Sequence, residues 1–194
     1  MKQILLATTN KGKLNDVKEI LKDVEVKILS FLDFDDHPEV EETGTTFLEN
    51  AELKVKAAFE KFGIPSIGDD SGLESFQLNG EPGIFSARYA GEKSSDEENN
   101  LKLITKLSNY TEPHHGRFVC AAVYFDGKEL RSALGEVRGN IIKIPRGKNG
   151  FGYDPLFIPD GYEKTMAELL HEEKNKISHR LKAFKELIKS LDWN

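Results

Sequence analysis

One cysteine, Cys120, in 194 residues leaves no internal disulfide to form. It falls in the apolar run Phe118–Phe125, where a buried thiol behaves as a small hydrophobe rather than a nucleophile. No apolar stretch reaches membrane-spanning length, and the N-terminus lacks a secretory-signal profile, so a cytoplasmic protein without membrane contact is expected. Excess positive charge is also missing. Lys and Arg number 27 against 33 Asp and Glu, a net charge of −6, which argues against a broad nucleic-acid-binding surface. An anionic small molecule stays open, because a local cation cluster or a metal decides that. No Gly-x-x-x-x-Gly-Lys-Ser/Thr loop occurs, nor any internal repeat, low-complexity tract or flexible linker. His114 and His115 have no acid or cysteine at ligand spacing and read as surface residues.

What is present, 38% hydrophobic and 31% charged residues, describes one soluble domain over 1–194, with one or two lobes. Its organising stretch is Ser66-Ile67-Gly68-Asp69-Asp70-Ser71-Gly72-Leu73. This reads as a buried strand that stops and presents two carboxylates at its carboxyl end, where α/β sheets place their ligands. Neighbouring strand residues face opposite ways, so Asp69 and Asp70 should have different jobs, one facing a metal or substrate and the other the scaffold. The competing reading is an Asp-Asp-Ser-Gly turn bonded only to its own backbone.

Upstream, Gln3–Ala7 is a short apolar run that suits a strand covered on both faces. Thr8-Thr9-Asn10-Lys11-Gly12-Lys13 follows, and then Leu14, Val17, Ile20 and Leu21 at helical spacing. Hydroxyls, an amide, two lysines and a helix N-terminus together suit a phosphate. Val26–Leu29 could form a second strand, and Asp33–Glu42 reads as an acidic loop. Thr46-Phe47-Leu48-Glu49 fits a capping box for a helix with Phe47, Ala51, Val55, Ala58 and Phe62 on one face. One of Glu41, Glu42, Glu49 and Glu52 near its start could join Asp70 on a divalent ion, and carboxylate oxygens suit magnesium.

Downstream, Asn79-Gly80 is a hairpin signal, and Ser95-Asp96-Glu97-Glu98 is a second capping box. Phe118–Phe125 and roughly Glu129–Arg138 pair as strands around Asp126-Gly127. In Gly150-Phe151-Gly152-Tyr153-Asp154-Pro155 the glycines admit a ligand close to the backbone. There Phe151 and Tyr153 could stack on a base, and Asp154 could accept from its edge or from a sugar. Thr165-Met166-Ala167-Glu168 caps a short helix, and Ile177, Leu181, Phe184, Ile188 and Leu191 stripe the last one. Lys174 and the His179-Arg180 pair fall near that helix's start, where cations oppose the dipole and a bound anion would offset them. The same pair could donate to a 6-keto purine.

Taken in order, these motifs resemble the inosine/xanthosine triphosphate pyrophosphatases, the Ham1-like family. The matching stretches are Thr8–Lys13, Glu41-Glu42-Thr43-Gly44 with Phe47–Asn50, Asp69–Leu73, Pro82–Tyr89, Gly150–Pro155 and Ile177–Arg180. Gly68 departs from the pattern, where alanine is expected. The resemblance implies a two-lobed α/β fold around a long mixed β-sheet with flanking helices, the active site in the cleft. It also implies a homodimer, a magnesium ion, and hydrolysis of ITP, dITP and XTP to monophosphate and pyrophosphate. By the same resemblance Thr8, Thr9, Asn10, Lys11, Gly12 and Lys13 hold the triphosphate, with Lys174 assisting. Glu42 and Asp70 serve the metal, and Asp70 is the proton acceptor. Ser71, Phe151, Gly152, Tyr153, Asp154, His179 and Arg180 surround the nucleotide. Whether Asp69 or Asp70 acts as the base stays open. So do two rivals: a phosphomonoesterase with an aspartate nucleophile, which releases orthophosphate, and a nucleotide sensor without turnover.

Overall fold

In the computed structural model, which describes residues 2–191, the chain builds a six-stranded mixed sheet with flanking helices. Strand β1 (Lys2–Leu6) leads through the polar loop into helix α1 (Lys11–Ile20), and β2 (Val26–Ser30) returns beside β1. Helix α2 (Phe47–Phe62) precedes the central strand β3 (Ser66–Ser75), and helix α3 (Asp96–Leu107) follows it. Strands β4 (His114–Phe125), β5 (Leu130–Ile141) and β6 (Phe157–Pro159) complete the sheet, and helices α4 (His171–Ile177) and α5 (His179–Ser190) close the chain. The strand order is β2-β1-β3-β4-β5-β6. β1 pairs in parallel with β2 and with β3, while β5 and β6 are antiparallel.

Two compact units emerge. One comprises residues 1–70, 120–135 and 180–194, the other 71–119 and 136–179. The first has an apolar cluster around Leu6, Val17, Ile67, Ala122 and Phe184, and another around Leu5, Ala51, Val55 and Val123. The second packs Leu73, Leu103, Leu107, Leu156 and Phe157 together. Alternating residues of β1 feed the two clusters of the first unit, as expected of a strand covered on both faces.

The helix starts are specified locally. The Asn10 side chain accepts from the Lys13 amide at 3.1 Å and caps α1. Thr46 caps α2 through the Glu49 amide at 3.1 Å, but Glu49 reaches one residue further back, to the Thr45 amide at 2.6 Å. Ser95 and Glu98 form the reciprocal box on α3.

Several expectations need correcting. β3 does not stop at the carboxylates. It runs on to Ser75, because Leu73 is fully buried and its amide finds the Ser86 hydroxyl at 3.0 Å. Asp69 and Asp70 therefore sit in mid-strand, and the turn alternative fails. Asn79 and Gly80 do turn with positive φ, but the ladder that they close is a single bridge, Glu74 to Pro82. Thr165–Glu168 forms one turn and no helix: the Glu168 carboxylate accepts the Thr165 amide at 2.7 Å, but the Thr165 hydroxyl donates to the Arg146 carbonyl at 2.8 Å. The Ala167 carbonyl that would continue it instead accepts the Lys148 and Asn149 amides at 3.1 and 3.0 Å. The last helix is broken at Ser178, which is extended (ψ 147°), so that α4 ends and α5 begins at His179. His114 is buried rather than exposed. Its Nδ1 lies 2.6 Å from the Gln77 side-chain oxygen, and burial lowers its pKa.

Gly139 on β5 lies opposite Pro159, and a Cβ there would stand 2.1 Å from the Ile158 carbonyl oxygen. Such a glycine marks close backbone approach. Gly139→Ala should cost about 1–3 kcal/mol of stability or more, since backbone cannot step aside as a side chain can. A denaturant midpoint unchanged from that of the parent would contradict this.

Candidate active site

The first unit carries a chain of buried charges. Asp69 points to one face of β3, where its side chain is 1% exposed, and Lys13 of α1 reaches its Oδ2 at 3.1 Å. Arg180, in the first turn of α5, lies with Nε 3.4 Å from the same oxygen and Nη1 2.6 Å from Asp16 of α1. The Cys120 thiol stands 3.7 Å from Asp69 as a weak donor, and burial raises its pKa. Burial alone would favour a neutral Asp69. Attraction to Lys13, Arg180 and Lys54 outweighs it and holds the carboxyl well below the ordinary carboxylate range. Arg180 is held charged in turn: burial works against the charge, and Asp69 and Asp16 are among the groups that outweigh it. Asp69 is thus a poor proton acceptor and a firm anchor for Lys13.

On the opposite face of β3, Asp70 meets α2. The Lys54 ammonium donates to Asp70 Oδ1 at 2.9 Å and to Glu42 Oε1 at 3.0 Å. The Asn50 amide donates to Asp70 Oδ2 at 3.4 Å, while its oxygen accepts the Gly44 amide at 2.8 Å. A Cβ on Gly44 would meet that Asn50 oxygen at 2.6 Å, so glycine lets the loop bearing Glu42 settle on the first turn of α2. Of the four glutamates considered for a metal, Glu49 is committed to Thr45 and Glu52 to Lys56 at 2.7 Å. Glu42 shares a cationic partner with Asp70.

In the second unit the glycine-rich loop winds around Asp154. That carboxylate is 3% exposed and accepts the Phe151 amide at 2.9 Å and the Lys174 ammonium at 2.5 Å. Gly150 makes this possible. Its φ is +79°, and a Cβ would fall 2.1 Å from Asp154 Oδ2. The Lys174 ammonium also stands 4.8 Å from the centre of the Phe151 ring. Helix α3 grips the loop from the other side. Asp96 accepts the Gly152 amide at 2.6 Å, and the Asn100 side chain donates to the Gly152 carbonyl at 3.0 Å. His179 stacks on Phe118 with ring centres 4.9 Å apart.

The model of the Ham1 family matches residues 4–190. A dITP/XTP pyrophosphatase of Aquifex aeolicus is 45% identical over 194 residues, covering 96% of this chain and 95% of that protein. One from Staphylococcus aureus strain MW2 is 50% identical over 187 residues, covering 94% and 93%. Among solved structures, the Staphylococcus aureus Ham1 protein superposes with a TM-score of 0.85 at 46% identity, covering 96% of each chain. A HAM1 protein from Coxiella burnetii gives 0.89 at 39% identity, covering 97% of this chain and 98% of that one. The chain belongs to the Ham1 family.

Within this Ham1 chain the residues singled out by sequence fall into three groups. Lys13, Asp69 and Arg180 meet in the buried ionic chain, with Thr8, Thr9, Asn10, Lys11 and Gly12 on the loop and first turn leading to it. Glu42 and Asp70 meet through Lys54. Phe151, Gly152, Asp154 and Lys174 meet in the second unit, where β3 also carries Ser71 and α5 begins with His179. Three expected contacts change character. Tyr153 is 4% exposed, packed in the core with its hydroxyl donated to the Ser86 carbonyl at 2.8 Å, so its ring is not available for stacking. Asp154 Oδ2 accepts from the Phe151 amide of the loop and from Lys174 of α4. Arg180 pairs with Asp16 and Asp69.

Asp16, Asn50, Lys54, Asp96 and Asn100 were missed. Asp16 and Lys54 lie inside helices where charged residues ordinarily face solvent, and only the opposing carboxylates and cations make them notable. Asp96 was legible as a helix-start acid, but its bond to Gly152 is a tertiary contact.

The depressed pKa of Asp69 has a signed consequence. Its unfolded value is about 3.9, so its ionic stabilisation is complete above that pH and is lost as pH falls toward the folded value. Asp69→Asn should lower stability at neutral pH. It should also flatten the acid limb of stability between about pH 5 and 2 relative to the parent. Urea midpoints measured across that range give the comparison, and parallel curves would show that Asp69 is not the group concerned.

Proposed function

We infer that this Ham1 chain hydrolyses non-standard purine nucleoside triphosphates, dITP, XTP and ITP, to the nucleoside monophosphate and pyrophosphate. The observation that carries the reading is the division of labour across β3. Asp69 anchors a cation beside the α1 N-terminus, and Asp70 converges with Glu42 on one cationic point. An anionic polyphosphate needs the first arrangement and a metal-assisted hydrolase needs the second. The relatives named as dITP/XTP pyrophosphatases support the substrate class.

The residues fit a magnesium ion. Among the described residues no three His, Cys, Asp or Glu side chains converge as a metal cage. Magnesium does not need one: it binds through one or two carboxylates and completes its shell with water and substrate phosphates. Glu42 and Asp70 already converge on the Lys54 ammonium, which supports both as holders of the ion. When bound there, the ion would neutralise phosphate charge. Magnesium, a homodimeric assembly and a cytoplasmic location complete the proposal; among the described residues no helix is long and apolar enough to cross a membrane.

The chain's own residues perform the rest. The α1 N-terminus with Thr8, Thr9, Asn10, Lys11, Gly12 and Lys13 receives the triphosphate, and Lys13 is aimed by Asp69. Water attacks the α-phosphorus while the bond to the bridging oxygen breaks, and pyrophosphate leaves with that electron pair. Asp70 accepts the proton of the attacking water. Asp69 is a weak base, because Lys13 and Arg180 hold its pKa well below the ordinary carboxylate range. Phe151 offers a face for the base, and Gly152 with the peptides around it offers backbone groups. Lys174 and Asp154 hold the shape of that loop, and Ser71 and His179 are the remaining nucleotide contacts. Arg180 acts through Asp69 and Asp16 as a positioning residue.

Two measurements test this. ITP turnover in a preparation free of pyrophosphatase should release one pyrophosphate per IMP, and orthophosphate alone would overturn the reading. Asp70→Asn should lower kcat by about 100- to 10,000-fold while nucleotide binding remains measurable. Turnover near that of the parent at saturating magnesium would move the proton acceptor elsewhere.

A further inference from the structure

Lys54 is the unassigned group at this site. Its side chain is 13% exposed, and its ammonium lies 3.0 Å from Glu42 Oε1 and 2.9 Å from Asp70 Oδ1. Two carboxylates facing each other without a counter-ion would repel at close range in a poorly solvated place. Here that counter-ion comes from the next helix turn after Asn50, which steadies the other Asp70 oxygen.

We propose that Lys54 is a resident counter-ion occupying the point where the divalent ion binds, so that the protein takes up the metal together with the nucleotide rather than ahead of it. The proposal rests on the assignment of Glu42 and Asp70 as the metal's holders. The charge balance carries it. Glu42, Asp70 and Lys54 sum to one negative charge, whereas the carboxylates alone would present two to a free cation. A divalent ion entering alone must displace an ammonium that makes two charge-assisted hydrogen bonds. A nucleoside triphosphate changes this balance. Its phosphate oxygens supply ligands for the ion and a new anionic partner for the displaced ammonium. Lysine suits such a part, because its flexible four-carbon stem can move a point charge between partners.

The probe is Mn2+ binding to the intact protein, read by electron paramagnetic resonance, with and without a non-hydrolysable inosine triphosphate analogue. The parent should bind Mn2+ weakly alone and far more tightly with the analogue. Lys54→Met should bind Mn2+ alone at least about tenfold more tightly than the parent, and the gain on adding the analogue should shrink. Lys54→Arg keeps the charge and should retain the parent's weak binding, which separates charge from packing if Lys54→Met is destabilised. Equal Mn2+ affinity in the parent, Lys54→Met and Lys54→Gln would overturn the proposal. Glu42→Gln and Asp70→Asn identify where a failure lies. If they leave Mn2+ binding in the presence of the analogue intact, the metal assignment itself is wrong; if they abolish it while the Lys54 variants do nothing, only the role of Lys54 falls.

Discussion

A carboxylate buried in mid-strand between two cations is the constraint on which the first unit turns. Asp69 is 3% exposed as a residue, and an ionised group at that depth is tolerable only with close, hydrogen-bonded partners. Lys13 and Arg180 meet the need, and Arg180 in turn requires Asp16. One strand and two helices are thereby tied at fixed points: β3, the first turns of α1, and the start of α5. The break at Ser178 places Arg180 in a new first turn, and the cost of a cation there is offset by carboxylates from other elements. Removing any one member leaves a buried charge short of a partner.

The same economy appears at the other two clusters. Asp70 shares a strand with Asp69 but faces α2, where a lysine, an asparagine and a glycine-bearing loop define its position. Asp154 organises the glycine-rich loop from within, through an amide and a buried ammonium. In each case a carboxylate collects donors from separate segments, and a glycine admits the backbone where a Cβ would collide. These bonds hold Phe151 and the Gly152 peptide in one arrangement. Helix α3 holds the loop through Asp96 and Asn100.

Much of this was legible from local pattern. The strand–loop–helix opening, the caps at Thr46 and Ser95, and the opposite facing of Asp69 and Asp70 follow from short-range stereochemistry. The ordered motifs identified the family before any coordinate. What failed locally failed for tertiary reasons. β3 continued because Leu73 had a core to enter, and the turn at Thr165 stayed a turn because the Ala167 carbonyl was taken by the loop at Lys148. His114 went inside because Gln77 offered its ring a partner.

The amino-acid sequence by itself determined the elements, their order and the residue types that suit phosphate and metal, because periodicity, capping and spacing act over a few residues. Which partners each of these two carboxylates takes was decided only by the tertiary structure. Asp69 and Asp70 are adjacent and chemically identical, and they differ through what stands across from each: Lys13 and Arg180 on one face, Lys54 and Asn50 on the other. Those partners lie up to 111 residues away along the chain, and electrostatic environment depends on distance in space rather than in sequence.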